Sequence, residues 1–373
     1  METYRLSSRL IEDDTEYLIQ TDRDEGRCQV ASTVFINGRP VERIEIPHPD
    51  EYRPDQLQLL VKEKHDEKKH EVEQLLEAYT RVRGESDPET MFHLATAFYF
   101  KGFLDEARSL LVGVTSISVG YHEAFHFLAM TETALGNSTE AVQAASKAVA
   151  HCPEYADYRN GLGCAYMAAG SYRQAVEQFQ EAVNRNLYYG EAYFNKGLAL
   201  VANALDQSDT GLMADVISRS TDCFKKAAVI STEFDSADFR SAVRALQETD
   251  LKVALAQLTA VRETVRQRQH RRQVAFHMKH VLHPNWINEG EIDSRATELE
   301  SQLVANPNYA DLHTELARCY LEKARIVWEK ALDRYRKALQ VNASLAEAKE
   351  TLVEAETAYR AIGDVLDNLA KRK

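Results

Sequence analysis

Glycine and proline are scarce in this chain, 15 and 8 among 373 residues. Turns draw on both, so a loop-rich or all-β protein is disfavoured. The five cysteines, Cys28, Cys152, Cys164, Cys223 and Cys319, stand far apart and form no C-x-x-C pair. They read as reduced, small buried residues of a cytoplasmic protein, and their spacing disfavours a structural zinc site. Positive charge is in deficit, with 45 lysines and arginines against 58 acids and a net charge of −13. Bulk electrostatics therefore repel nucleic acid and anionic membrane. No run approaches the roughly 18–20 apolar residues of a membrane-spanning helix. The opening METYRLSSRLIEDDTEYL lacks the basic-then-apolar pattern of a signal peptide. Phosphate-cradling glycine loops, H-E-x-x-H and G-x-S-x-G are all missing. The expectation is a non-catalytic protein without cofactor or metal.

Hydrophobic residues at 44% and charged residues at 28% suit an ordinary globular chain, long enough for two or three units. Residues 1–52 read as a small antiparallel β-meander of three or four strands, from β-formers at 3–9, 16–21, 28–36 and 41–46. Val30, Ser32, Val34 and Ile36 alternate with Gln29, Ala31, Thr33 and Phe35. Asn37-Gly38 is a type I′ hairpin signal. The open edges of such a meander need cover, from self-association, the next helix or a partner strand. Pro47, Pro49 and Pro54 lead into a long charged helix, residues 53–84. Leu57, Leu60, Val61, Val72, Leu75, Leu76, Tyr79 and Val82 stripe its two ends, and KEKHDEKKHE fills its middle. That pattern predicts a projecting or bridging helix; the alternative is a solvated face on a packed one.

From residue 88 the chain repeats with a period of about 34 residues. Small residues that let two helices approach recur among large ones that fill the gap to the next pair. The unit from Pro88 has Leu94, Ala95, Phe98, Ala107 and Leu111. The unit from His122 has Phe125, Leu128, Ala129, Gly136, Ala141 and Ala148. The unit from Ala156 has Leu162, Gly163, Tyr166, Gly170, Ala175, Phe179 and Ala182. From Gly190, Tyr193, Gly197 and Leu200 continue the pattern, and Phe224 and Ala227 resume it after an insertion. These residues resemble the tetratricopeptide-repeat family over 85–231. A degenerate unit follows within 290–373, where Pro307, Leu316, Ala317, Tyr320, Ala331, Tyr335 and Ala338 fit if two residues are inserted. Residues 232–289 are helical but off the consensus, and 344–372 reads as a capping helix. The fold class is mostly α, a tetratricopeptide-type helical solenoid behind a β-meander.

The resemblance implies a concave face that binds partner peptides. Carried over residue by residue, it is lined by Glu89, Phe92, His93, Thr96, Tyr99 and Phe100 in the first unit. The second supplies Glu123, His126, Phe127, Met130 and Thr133. Asp157, Asn160, Cys164 and Met167 follow, then Glu191, Phe194, Asn195 and Leu198. No lysine or arginine lines it, so Asn160 and Asn195 alone would face a buried carboxylate, which disfavours capture of an acidic chain terminus. With one acid per unit, the surface suits an apolar or basic amphipathic helix from a protein partner. Alternatively Phe92, Phe127 and Phe194 pack inside the solenoid, or the 55–83 or 344–372 helix fills the groove.

Residues 262–283 carry six basic residues, Arg262, Arg266, Arg268, Arg271, Arg272 and Lys279, against the single acid Glu263. A solvated helix pairing with the acidic remainder is the expectation, and a polyanion or nucleic-acid patch the alternative. His277, His280 and His283 are spaced so that only neighbours share a helix face, which disfavours a metal site.

Overall fold

The computed structural model describes residues 4–24, 28–49, 52–84, 87–207, 213–282, 289–305, 310–342 and 345–371. They form two compact units interleaved along the chain. The first comprises Met1–Pro153, Gly161–Ala175 and Thr259–Leu282; the second comprises Glu154–Asn160, Val176–Leu258 and His283–Lys373.

In the first unit, β1 (Arg5–Glu12), β2 (Thr15–Asp24), β3 (Gln29–Ile36) and β4 (Arg39–Pro47) pair antiparallel in chain order. Asn37 and Gly38 both take positive φ, as a type I′ turn requires. Asp13 and Asp14 do the same without glycine, at φ 45° and 64°. Aspartate tolerates this region because its short side chain bonds locally. A bulge between Val34 and Phe35 leaves Val41 as the extra residue of β4, since Phe35 pairs with Pro40 and Val34 with Glu42.

Alternate residues of β2, Tyr17, Ile19 and Thr21, are buried, as are Val30, Ser32 and Val34 of β3. Helix α1 (Pro54–Gly84) packs on β1, β2 and β3. It does not project. Its charged middle is buried through His65 and Lys68, 4% and 6% exposed. The His65 ring reaches Ser8 Oγ at 2.8 Å and Thr21 Oγ1 at 3.2 Å, and Thr21 meets Ser32 Oγ at 2.9 Å. The polar middle of the helix thus lies over a polar band in the sheet. Burial lowers the pKa of His65 below its ordinary 6.5.

Beyond α1 come helix pairs: α2 (Pro88–Lys101) with α3 (Leu104–Ile117), then α4 (His122–Leu135) with α5 (Ser138–His151). Next in the chain are α6 (Ala156–Ala168), α7 (Tyr172–Arg185), α8 (Gly190–Gln207) and α9 (Met213–Ile230). Asp87 caps α2, accepting from Thr90 N at 3.0 Å. Gly102, Gly136 and Gly170, with φ 82°, 84° and 72°, close α2, α4 and α6. Each closure repeats one bond pattern. Phe103 N donates to Phe98 O at 2.9 Å, Asn137 N to Glu132 O at 2.9 Å, and Ser171 N to Tyr166 O at 2.9 Å.

The sheet, α1 and the first helix pair share one core, in which Tyr17, Ile19 and Val34 meet Val72, Leu75, Phe98 and Phe103. The Tyr17 ring stacks on Phe103 at 5.9 Å, and its hydroxyl donates to the buried carboxyl of Glu106 on α3. Burial, then Glu106 itself, raises the pKa of Tyr17, and burial raises that of Glu106. Four charges complete the join. Lys68 Nζ lies 3.2 Å from Glu42 and 2.6 Å from Glu71, and Lys101 Nζ lies 2.9 Å from Glu42 and also pairs with Glu71. Burial opposes the charge on Lys101, but Glu42 and Glu71 outweigh it and raise its pKa. Burial would likewise raise that of Glu71, but Lys101 and Lys68 hold it low.

In the second unit, Phe194 of α8 stacks on Phe234 at 4.5 Å and meets Phe224 of α9 edge-on at 5.1 Å. Phe234 ends a 3-10 turn, Thr232–Phe234, that precedes α10 (Ala237–Gln247) and α11 (Leu251–Leu282). The chain closes with α12 (Glu289–Ala305), α13 (Ala310–Val341) and α14 (Ala346–Lys371). The expected degenerate unit is not a helix pair here, because α13 runs unbroken for 32 residues. Where the first three units have a glycine turn, α13 has Leu321, Glu322, Lys323, Ala324 and Arg325, all good helix formers. Ile292, Ala296 and Leu299 of α12 pack with Cys319 of α13, and Trp328 Nε1 donates to Ala355 O of α14 at 3.0 Å. Pro307 lies outside the described residues.

Two outcomes follow. A Cβ on Gly102 would sit 2.9 Å from the Val41 carbonyl oxygen, whereas nothing lies within 4 Å of one on Gly136. Gly136→Ala should cost about 1–2 kcal/mol, the penalty for a left-handed alanine, and Gly102→Ala clearly more, measured by urea unfolding. Because the native pKa of His65 is depressed, the unfolded chain takes up its proton first as pH falls below 6.5. Stability contributed by His65 is therefore present above that pH and lost below it, by up to about 1.4 kcal/mol per pH unit. The stability gap between wild type and His65→Gln should narrow as pH drops from about 7.5 to about 5.

Candidate functional site

The two units hold different parts of the expected lining. In the first unit Phe127 of α4 is a hub. Its ring lies 5.5 Å from Phe92, 5.9 Å from Tyr99 and 5.9 Å from Phe100, near-perpendicular to all three. Phe92 and Tyr99 are buried, while Phe127 and Met130 are half-buried. Thr96 is fully buried, its hydroxyl donated to the Phe92 carbonyl at 2.8 Å, and so is unavailable to a ligand. The His126 ring stands over Gly161 of α6, where a Cβ would meet it at 2.9 Å. Cys164 is half-buried.

Acids rim this aromatic floor. Glu89 is exposed and lies 3.9 Å from His93, and Glu123 is half-buried. Tyr121, absent from the expected lining, crosses Phe92 edge-on at 5.0 Å. Its pKa is raised by burial and then by Glu123, Glu89 and Asp87, so it samples the same negative field. As the residue just before α4, Tyr121 falls outside the helix positions that the repeat pattern singles out.

The second unit holds Asp157, Asn160, Glu191, Phe194, Asn195 and Leu198. Phe194, Asn195 and Leu198 are fully buried, and Asn160 nearly so. Asn195 Nδ2 donates to Asn160 Oδ1 at 3.0 Å, and Asn160 Nδ2 lies 3.2 Å from the Tyr189 hydroxyl and 3.3 Å from Glu191 Oε1. The two asparagines are engaged with each other and with Glu191. Phe194 is turned inward because α9 and the 3-10 turn bring Phe224 and Phe234 against it.

Successive first helices begin at Pro88, His122, Ala156 and Gly190, about 34 residues apart, and the first three share one glycine closure. Gly197 leaves room for the Phe224 ring, which a Cβ would meet at 2.7 Å. The helix pairs follow the tetratricopeptide-repeat fold. No protein-family model and no curated protein sequence matches the chain. Among solved structures it is similar to TTC0263, a thermophilic tetratricopeptide-repeat protein of Thermus thermophilus, at 18% identity and TM-score 0.36, over 63% of this chain and 100% of that one. It is similar to MamA at 20% identity and TM-score 0.36, over 45% and 88%. It is also similar to YrrB, a tetratricopeptide-repeat protein with an unusual peptide-binding site, at 17% and 0.35, over 54% and 97%. None of these likenesses, at such identity and TM-score, adds to what the period and the glycine turns establish.

The basic stretch lies in α11, whose part from Thr259 onward belongs to the first unit. Arg266 bonds Glu263 at 2.8 and 2.9 Å and also reaches the Tyr99 side chain. Burial opposes its charge, but these two partners outweigh it and raise its pKa. Arg262 is half-buried and Arg268 exposed, and at 3.6 residues per turn Arg268 points away from the other two. The side chains of Arg271, Arg272, Lys279, His277 and His280, and His283 altogether, lie outside the described residues. Among the described residues no three His, Cys, Asp or Glu side chains converge on a metal site, and no helix is long and apolar enough to cross a membrane.

Removing one member of the asparagine pair strands a buried polar group, at about 1–3 kcal/mol. Asn195→Leu should be destabilised by that amount in urea. Adding Asn160→Leu should cost much less than its own single-variant penalty, because the two share one network.

Proposed function

We propose that this chain is a non-catalytic, cytoplasmic interaction scaffold whose concave tetratricopeptide surface takes an apolar or basic amphipathic helix of a protein partner. The observation that carries this reading is the aromatic floor around Phe127 bordered by Glu89 and Glu123. Aromatic rings supply contact area at low entropic cost, and the acids select for positive charge on the partner. Cytoplasmic placement is supported by the five scattered cysteines, which form no C-x-x-C pair in the sequence.

The test is affinity purification from the native cell with wild type and the rim-reversed variant Glu89→Lys/Glu123→Lys, with folding checked by circular dichroism. These side chains are only partly buried, so the fold should survive. A partner depleted at least tenfold with the folded variant supports the concave face. An unchanged partner set sinks this reading. Polyanion binding through Arg262, Arg266, Arg268, Arg271, Arg272 and Lys279 predicts a different result: capture that is indifferent to the rim reversal but falls with salt and with Arg268→Glu.

A further inference from the structure

The acid-rimmed face of the first two repeats already has a basic helix beside it. Residues 259–282 pack with the first unit although they follow the repeats by some way in the chain. The Arg266 guanidinium, 45% exposed, is within electrostatic reach of Tyr99, one of the rings around Phe127. Val261 and Val265, one turn apart, are buried at 6% and 3% exposure. The segment carries six basic residues and one acid, and the lining it approaches has acids at Glu89 and Glu123 and no lysine or arginine. An apolar seam flanked by positive charge is the chemistry that this face selects.

We propose that residues 259–282 are an internal ligand of the concave face, and that an external partner enters by displacing them. The proposal rests on the reading of that face as a partner site and adds its regulation. Being tethered, the helix acts at an effective concentration in the millimolar range. If it occupies the face about 99% of the time, a competing helix binds about 100-fold more weakly than to the open face. A true partner must therefore be a better basic amphipathic helix than 259–282, or arrive with something that holds these arginines elsewhere.

The probe is a fluorescein-labelled peptide with the sequence of residues 259–282, titrated by anisotropy into the full chain. Wild type, with its face filled, should bind it at least tenfold more weakly than Val261→Asp/Val265→Asp, in which the apolar seam is broken. Adding Glu89→Lys/Glu123→Lys to that variant should abolish binding. Should Val261→Asp/Val265→Asp misfold, Arg262→Ala/Arg266→Ala replaces one half-buried and one exposed side chain and should tighten peptide binding about three- to tenfold. Equal binding to wild type and the folded variant, or binding to neither, overturns the internal ligand. Tight peptide binding to the variant, with no cellular partner that depends on the rim acids, keeps the internal ligand and removes the external one. A rim-dependent partner with equal peptide binding does the reverse.

Discussion

Lys101 ends its helix inside the protein. Its side chain is 1% exposed, and it shares a square of alternating charge with Lys68, Glu42 and Glu71. Withdrawing an ion from water costs several kcal/mol even after relaxation, so four are tolerated only if each sits between two of opposite sign. That requirement fixes three elements at once. The bulge sets where Glu42 falls on β4, the i,i+3 spacing of Lys68 and Glu71 sets the rotation of α1, and the glycine after Lys101 sets where α2 stops. The sheet and α1 thereby close the end of the repeat array, as an exposed solenoid end requires.

Much of this was legible in sequence where the signal is local. Asn37-Gly38 announces its own turn, and the glycines at 102, 136 and 170 announce helix ends, because few other residues take those φ values. The Asp13-Asp14 turn was silent, since aspartate is common in many loop conformations. The middle of α1 left two readings open, a projecting helix or a packed one with a solvated face, and the second holds. KEKHDEKKHE looks solvated by composition, and only Ser8, Thr21 and Glu42, on strands distant in sequence, make its burial tolerable. Likewise nothing near Ala310 says that α13 continues; the sign is the glycine that is missing.

The sequence could list lining positions but could not say which of them are enclosed. The family pattern names the residues that point inward without saying what covers them. Phe194 belongs to the pattern yet is enclosed, because the chain beyond α9 supplies Phe234. The 55–83 and 344–372 helices were the expected candidates to fill the groove, and the first of them shares a buried core with Tyr99. Opposite charge was the available clue, since 262–283 is the most basic stretch of an acidic chain and the expected lining has acids alone.

The bond between Tyr17 and Glu106 spans 89 residues of chain. On a ribosome that adds about 5–20 residues per second, the strand bearing Tyr17 waits roughly 4–18 seconds for its partner to be made. Until α1 emerges the hairpins have an apolar face with nothing set against it, and Glu42 waits first for Lys68 and then for Lys101. The sheet is thus completed only well after its own strands are made.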